Sequence, residues 1–275
     1  MYTYELIHIN GPASLFHDLK QADSPNRDLG FISRKIERFV SRYVSENSAR
    51  GLVIGLSGGL DSSVVLKLCV TAIGTEKIFG LIMPSSSTPR EDIKDAIDLA
   101  RSLGVRYEVV DLTPIVERYS SSLPEDTRAR GNLTARIRMN ILYYYAAING
   151  YLVAGTSDKS ERKIGFFTKF GDGAADILPI ADLYKTQVRE LARFLKVPRT
   201  IIEKKSSPRL WDNHLAEDEL GMTYERIDPI LQLLAKKRKP QEIAKKLKLP
   251  LSDVRKVKEM VEKSKHKRSP PPSTD

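Results

Sequence analysis

The sequence predicts a doubly wound α/β protein, a mostly parallel sheet flanked by helices, with a helical C-terminal segment. Three observations predict it. Short apolar runs alternate with helical patterns from about residue 30 to residue 195, as in a chain of βαβ units. The first run, Leu52-Val53-Ile54, leads into the glycine turn Gly55-Leu56-Ser57-Gly58-Gly59-Leu60-Asp61-Ser62 and then into a helix. Finally, 275 residues with 41% hydrophobic content suffice for one large core, and no apolar run approaches the ~20 residues that span a bilayer.

The elements follow in order. Residues 1–30 hold Pro12 and the turn signal Ser24-Pro25-Asn26 and read as an N-terminal extension. Ile32, Ile36, Phe39, Val40 and Tyr43 recur at helical spacing and predict a helix over 30–46. Strand one is expected over 51–56 and a helix over 60–73, with Val64, Val65, Leu68 and Ala72 inward. Strand two covers 77–83 and ends at Pro84; Pro89 opens a helix over 90–103 that stops at Gly104. Strand three (105–110) and a short helix (114–119) come next, then a polar loop over 121–133. Ile137, Ile141, Tyr144, Tyr145 and Ile148 predict a helix over 134–148, followed by strand four at 151–154. Residues 155–181 read as a long glycine-containing binding loop. A helix over 181–195 ends before Pro198, the remainder reads as helical, and 269–275 as a flexible tail. Ligands of such sheets bind beyond the C-terminal ends of the strands. The glycine turn and the loop at 155–176 therefore belong to one lip.

A glycine turn between strand and helix cradles phosphate, because backbone N–H groups converge and the helix N-terminus adds positive potential. Gly58 and Gly59 allow close approach, and Ser57 and Ser62 add hydroxyls. Asp61 would repel a phosphate unless a cation such as Mg²⁺ lay between them. No GK[ST] follows, so this is not a Walker A loop. The stretch resembles the SGGxDS signature of the ATP pyrophosphatases, which release pyrophosphate and leave AMP on an acceptor. The alternative is an ordinary Gly-Gly turn with Asp61 capping the helix.

Composition narrows the class. Cys69 is alone, so no disulfide forms within the chain, and His8, His17, His214 and His266 lack metal-ligand spacing. The opening MYTYELIHIN lacks the pattern of a secretory signal, and a cytoplasmic location is expected. The net charge of +10 resides in residues 236–268, where 14 Lys or Arg face 4 Asp or Glu.

Beyond strand four stand Gly155-Thr156-Ser157-Asp158-Lys159-Ser160-Glu161, then Phe166-Phe167-Thr168-Lys169-Phe170-Gly171-Asp172-Gly173-Ala174-Ala175-Asp176, and Leu183-Tyr184-Lys185-Thr186; upstream is Gly131-Asn132-Leu133-Thr134-Ala135-Arg136-Ile137-Arg138-Met139. With the glycine turn, these stretches resemble ammonia-dependent NAD synthetase over roughly residues 31–268. The resemblance implies an adenine nucleotide alpha hydrolase-like fold and ATP-dependent amidation of deamido-NAD. The nicotinate carboxylate attacks the α-phosphate of ATP, pyrophosphate leaves, and ammonia displaces AMP from the acyl-adenylate. It implies ATP contacts at Gly55 to Ser62, Thr156, Lys185 and Ser207, with Lys185 a catalytic cation near the phosphates. Asp61 and Glu161 would hold Mg²⁺. Arg136, Lys169, Asp176, His266 and Lys267 would contact deamido-NAD, with Asp176 also orienting ammonia. Asp158 stands where the family commonly has Asn. ATP and Mg²⁺ are the expected requirements, with no tightly bound organic cofactor, and a homodimer whose interface borders the deamido-NAD site is expected. No glutaminase domain precedes the glycine turn, so ammonia is the expected nitrogen source.

Two other functions remain open at this point. A pyrophosphatase-loop ligase or thiolase acting on RNA fits the charge, although thiolation usually needs paired cysteines. A nucleotide-binding DNA regulator would use residues 240–265, where 241–248 and 252–265 resemble a helix-turn-helix. A basic lid over an anionic dinucleotide is the preferred reading of that segment.

Overall fold

The computed structural model describes residues 28–274. The predicted N-terminal extension therefore lies outside the described residues, except for its last three positions. Helix α1 (Leu29–Glu46) starts where the Asp28 carboxylate accepts the Phe31 N–H, an ordinary N-cap. Then come β1 (Leu52–Gly55), α2 (Leu60–Ile73), β2 (Ile78–Ile82), α3 (Arg90–Ser102), β3 (Arg106–Val109) and α4 (Thr113–Ser120). They are followed by α5 (Thr127–Asn149), β4 (Leu152–Ala154), α6 (Lys159–Ile164), α7 (Lys185–Phe194) and α8 (Arg199–Ile202). The C-terminal part holds α9 (Ala216–Leu220), α10 (Tyr224–Ala235), α11 (Pro240–Leu247), α12 (Leu251–Lys263) and α13 (Lys265–Arg268).

The four strands form one parallel sheet in the order β3-β2-β1-β4. Strand side chains alternate between faces, and the two cores divide accordingly. Leu52 and Ile54 of β1 join Ile78 and Ile82 of β2 in a core with α1, α2, α3 and α7. Val53, Phe79, Leu81 and Val153 face the other way, onto α4 and α5. Cys69 is buried in the first core, where desolvation pushes its thiol up to about 12; it is a filler side chain. A third core joins α6 to the C-terminal helices through Ile164, Tyr224, Ile227, Ile243, Val254 and Val257.

Three expectations are corrected. The polar loop expected over 121–133 is half helix, because the Asp126 carboxylate accepts the Ala129 N–H at 2.6 Å and starts α5 at Thr127. Hydrophobic periodicity could not reveal those first turns, which are largely polar. The loop expected over 155–181 is interrupted by α6, nucleated by a reciprocal capping box between Asp158 and Glu161 and ended by Gly165 at φ +75°. The helix expected from 181 begins at Lys185. The predicted stripe of α5 also splits: Ile137 is buried, whereas Tyr144 and Ile148 are 65% and 61% exposed.

Candidate active site

A cleft of about 410 Å³ opens beyond the C-terminal ends of β1 and β4. Its walls are the glycine turn, the end of β2, residues 155–157, 165–168 and 204–211, and the first turns of α5. The sheet thus brings the turn after β1 and the segment after β4 together, as the parallel topology requires. Gly58 sits at φ +71°, and a Cβ there would lie 2.0 Å from the Asp92 carbonyl oxygen, so only glycine fits. Gly59 has φ −97° and needs no such freedom. Ser62 Oγ accepts the Ser57 N–H, and Ser63 Oγ donates to the Gly59 carbonyl at 2.7 Å. No side chain caps the α2 N-terminus, which leaves its N–H groups for an anion in the cleft.

Behind the cleft, Lys185 Nζ lies 2.6 Å from Asp61 Oδ2, 2.7 Å from Glu161 Oε1 and 3.0 Å from Asp158 Oδ2. Its side chain is 0% exposed, and the Tyr224 ring packs 5.3 Å from the ammonium. Burial alone would lower the Lys185 pKa, but attraction by the three carboxylates outweighs it and raises it well above the usual range. Burial pushes Asp158 up to about 6, against the pull of Lys185 and with repulsion from Asp61. Burial also holds Glu161 well above its ordinary range, again against Lys185. Asp228 of α10 braces this arrangement. Its carboxylate accepts Ser160 Oγ–H at 2.5 Å and the Thr186 N–H at 2.8 Å, while Ser160 Oγ accepts the Lys185 N–H. The N-termini of α6 and α7 are thereby locked together, which fixes Glu161 and Lys185.

The donor set fits a divalent cation. Three carboxylates and one ammonium leave two negative charges when all are ionised, and Asp61 Oδ1 is buried without a hydrogen-bond partner. Among the described residues, no set of three or more His, Cys, Asp or Glu closes around a metal.

The residues named from the sequence fall into three groups. Thr156 and Ser207 line the cleft with Gly55, Leu56, Ser57, Gly59, Leu60, Asp61, Ser62 and Glu161. Ser207 Oγ is engaged in its own turn, donating to the His214 carbonyl and accepting the Arg209 N–H. Arg136, Lys169, His266 and Lys267 cluster about residues 165–169 through backbone contacts. Arg136 donates to the Lys169 carbonyl at 3.3 Å, Lys169 Nζ to the His266 carbonyl at 3.1 Å, and Lys267 Nζ to the Gly165 and Phe167 carbonyls at 2.8 Å. A second cavity of about 360 Å³ there is lined by Lys169, Phe170, Lys267 and Arg268.

Lys185 and Asp176 form the third group, both held by polar contacts within the protein. Lys185 is surrounded by carboxylates, because a buried ammonium needs countercharge. Asp176 accepts the Val153 N–H at 2.7 Å and the Tyr143 hydroxyl at 3.2 Å, so its carboxylate pins the edge strand. Of the cationic residues in 236–268, Lys267 lines the main cleft and Lys267 and Arg268 the second cavity. The segment's buried apolar side chains complete the third core.

Asp158, noted from the sequence only as a charge where the family commonly has Asn, is a full member of the carboxylate group. Its spacing of three before Glu161 is the sequence mark of a capping box and was the available signal. Arg138 was quoted without a role. It is half-buried on α5 and lines the cleft, its Nε donates to the Met83 carbonyl at 3.2 Å, and desolvation lowers its pKa against attraction from Asp172. A charged residue inside an apolar stripe was its signal. Nothing local pointed to the His214 ring, which stacks on Trp211 and meets Glu219 at 2.6 Å.

A doubly wound parallel sheet with an uncapped phosphate turn facing acidic side chains defines an ATP pyrophosphatase-type nucleotide-binding protein. Residues 32–271 match the NAD synthase family, and the chain belongs to that family. It is 53% identical to an NH(3)-dependent NAD(+) synthetase of Hyperthermus butylicus, covering 89% of this chain and 90% of that one. A second such synthetase, from Aeropyrum pernix, is 47% identical over 90% of each chain. Among solved structures, an NMN synthetase from Francisella tularensis superposes with a TM-score of 0.81 at 33% identity, covering 91% of this chain and all of that chain. An NH3-dependent NAD synthetase from Campylobacter jejuni in complex with the nitrate ion gives 0.78 at 30% identity, with 90% and 100% covered.

Proposed function

We propose that this chain amidates deamido-NAD with ammonia, converting ATP to AMP and pyrophosphate through an acyl-adenylate. One observation carries the reading: in a member of the NAD synthase family, the uncapped glycine turn and the Asp61–Glu161 pair share a cleft large enough for a nucleotide. A carboxylate is a poor acyl donor. Its attack on the α-phosphate makes an acyl–O–P bond and breaks the α–β phosphoanhydride. Ammonia then adds to the carbonyl carbon, AMP leaves, and a proton is released. The α2 N-terminus and the turn's N–H groups hold the departing pyrophosphate. Asp61 and Glu161 would hold Mg²⁺, which when bound supplies charge stabilisation to phosphoryl oxygens. Lys185 keeps Asp61 and Glu161 close together, and Asp228 keeps Lys185 and Glu161 in place. Thr156 lies on the nucleotide side. The second cavity, with Lys169 and Lys267 at its rim, receives the dinucleotide, and Arg136 orients Lys169 through its carbonyl.

The exposed Tyr144, Ile148 and Phe170 support a homodimer formed on the α5 face. Dependence on ATP supports a cytoplasmic location; among the described residues, no helix is long and apolar enough to cross a membrane. The likeness to an NMN synthetase favours a second reading, in which the acceptor is the corresponding mononucleotide acid. Incubation with ATP, Mg²⁺ and ammonium and either acceptor decides between them. Equal amounts of NAD, AMP and pyrophosphate are expected from deamido-NAD. ADP and phosphate would sink adenylation, and faster turnover of the mononucleotide acid would establish the second reading.

A further inference from the structure

Asp92, in the first turn of α3, has no part in the chemistry above, yet it joins the glycine turn to the segment that covers it. Its backbone carbonyl presses on Gly58, where even a methyl group would approach to 2.0 Å. Its carboxylate is buried and takes a cation on each oxygen: Lys204 Nζ at 2.7 Å on Oδ1 and Arg209 Nε at 2.8 Å on Oδ2. Lys204 Nζ also meets Asp95 at 2.5 Å and the Gly58 carbonyl at 3.4 Å. The Arg209 carbonyl accepts Ser87 Oγ–H at 2.9 Å. Arg209 itself has φ +50°, a left-handed conformation that is uncommon for a non-glycine residue. Asp92, Lys204 and Arg209 all line the cleft.

We propose that Asp92 is a positioning residue that clamps the 204–214 segment over the phosphate-binding turn through Lys204 and Arg209. The inference rests on the reading of that turn as the ATP site. Because one residue templates the turn through its carbonyl and ties down the cover through its carboxylate, the two walls of the nucleotide cleft keep a fixed separation. The clamp acts on ATP rather than on the acceptor, for which the second cavity is proposed.

Trp211, the sole tryptophan of the chain, reports on this segment because it stacks on His214 with ring centroids 3.4 Å apart. The test is acrylamide quenching of Trp211 in full-length wild type, Asp92→Asn and Arg209→Ala, first without nucleotide, then with ATP and Mg²⁺, alongside steady-state kinetics. Asp92→Asn keeps the contact at Gly58 and removes the charge. It is expected to increase quencher access and to lower kcat/KM for ATP roughly 10- to 100-fold, the scale of a displacement near one ångström, with KM for the acceptor nearly unchanged. Arg209→Ala, which breaks half of the clamp, should change both in the same direction and add little to Asp92→Asn. Wild-type quenching and ATP kinetics in both variants would overturn the proposal. Should Asp92→Asn fail to fold, unchanged values in Arg209→Ala alone would do so. Quenching without nucleotide reads the clamp even if the ATP assignment fails, and absence of ATP binding by the wild type would count against that assignment alone.

Discussion

Lys185→Met removes an ammonium from the centre of three carboxylates and leaves a side chain of similar length. The ammonium is fully buried, and so is Asp158, while Glu161 is only slightly exposed. Stranding these charges costs about 3–5 kcal/mol at neutral pH. In a protein of this size that lowers Tm by roughly 10 °C, since 1 kcal/mol moves it about 2–4 °C. The loss should depend on pH in one direction. Asp158 stands at about 6 in the fold against an ordinary 3.8. The folded state therefore binds that proton more tightly than the unfolded chain does. The associated stability is complete below pH ~4 and is lost as the pH rises through 6. Removing Lys185 removes the attraction that holds Asp158 and Glu161 down, so both rise further. The variant's deficit should be largest at pH 8 and shrink towards pH 5, as both carboxyls take up protons. Thermal unfolding of both proteins by circular dichroism, in EDTA from pH 5 to 8, measures it. A deficit that does not change with pH, or one below about 1 kcal/mol at pH 8, would refute the role of Lys185 as countercharge.

Asp61→Asn and Glu161→Gln should each lower kcat by something on the order of 10²-fold, and the double variant should lose little more, because either change dismantles the same site; additive losses in single-turnover assays would separate their roles. Gly58→Ala should lower Tm markedly, since a positive φ costs about 1–2 kcal/mol before the 2.0 Å clash with the Asp92 carbonyl is relieved, whereas Gly59→Ala should be mild in the same unfolding experiment. Asp228→Ala leaves the Ser160 hydroxyl and the Thr186 N–H without their acceptor; it should cost roughly 2–3 kcal/mol in urea unfolding and also reduce turnover, and normal stability would show that another group braces α6 and α7.

Local pattern sufficed for the sheet and for the phosphate turn. The apolar runs at 52–54 and 78–82 and the glycines between strand and helix act over a few residues, and such short-range preferences are written in sequence. The joining of the turn to the 155–176 segment was also legible, because parallel topology places every strand end on one lip. Polar helix starts were less so: the caps at Asp126 and Asp158 override a hydrophobic period that has little to report there. Tertiary structure alone decided which charges meet. Lys185 lies 124 residues from Asp61, and no spacing rule says that its ammonium will be surrounded by three carboxylates. Likewise no local pattern says that the Asp176 carboxylate accepts the β4 N–H and the Tyr143 hydroxyl. Sequence determines which groups are ionisable; the burial and countercharge that set their roles come from segments distant in the chain, which only the packed fold brings together.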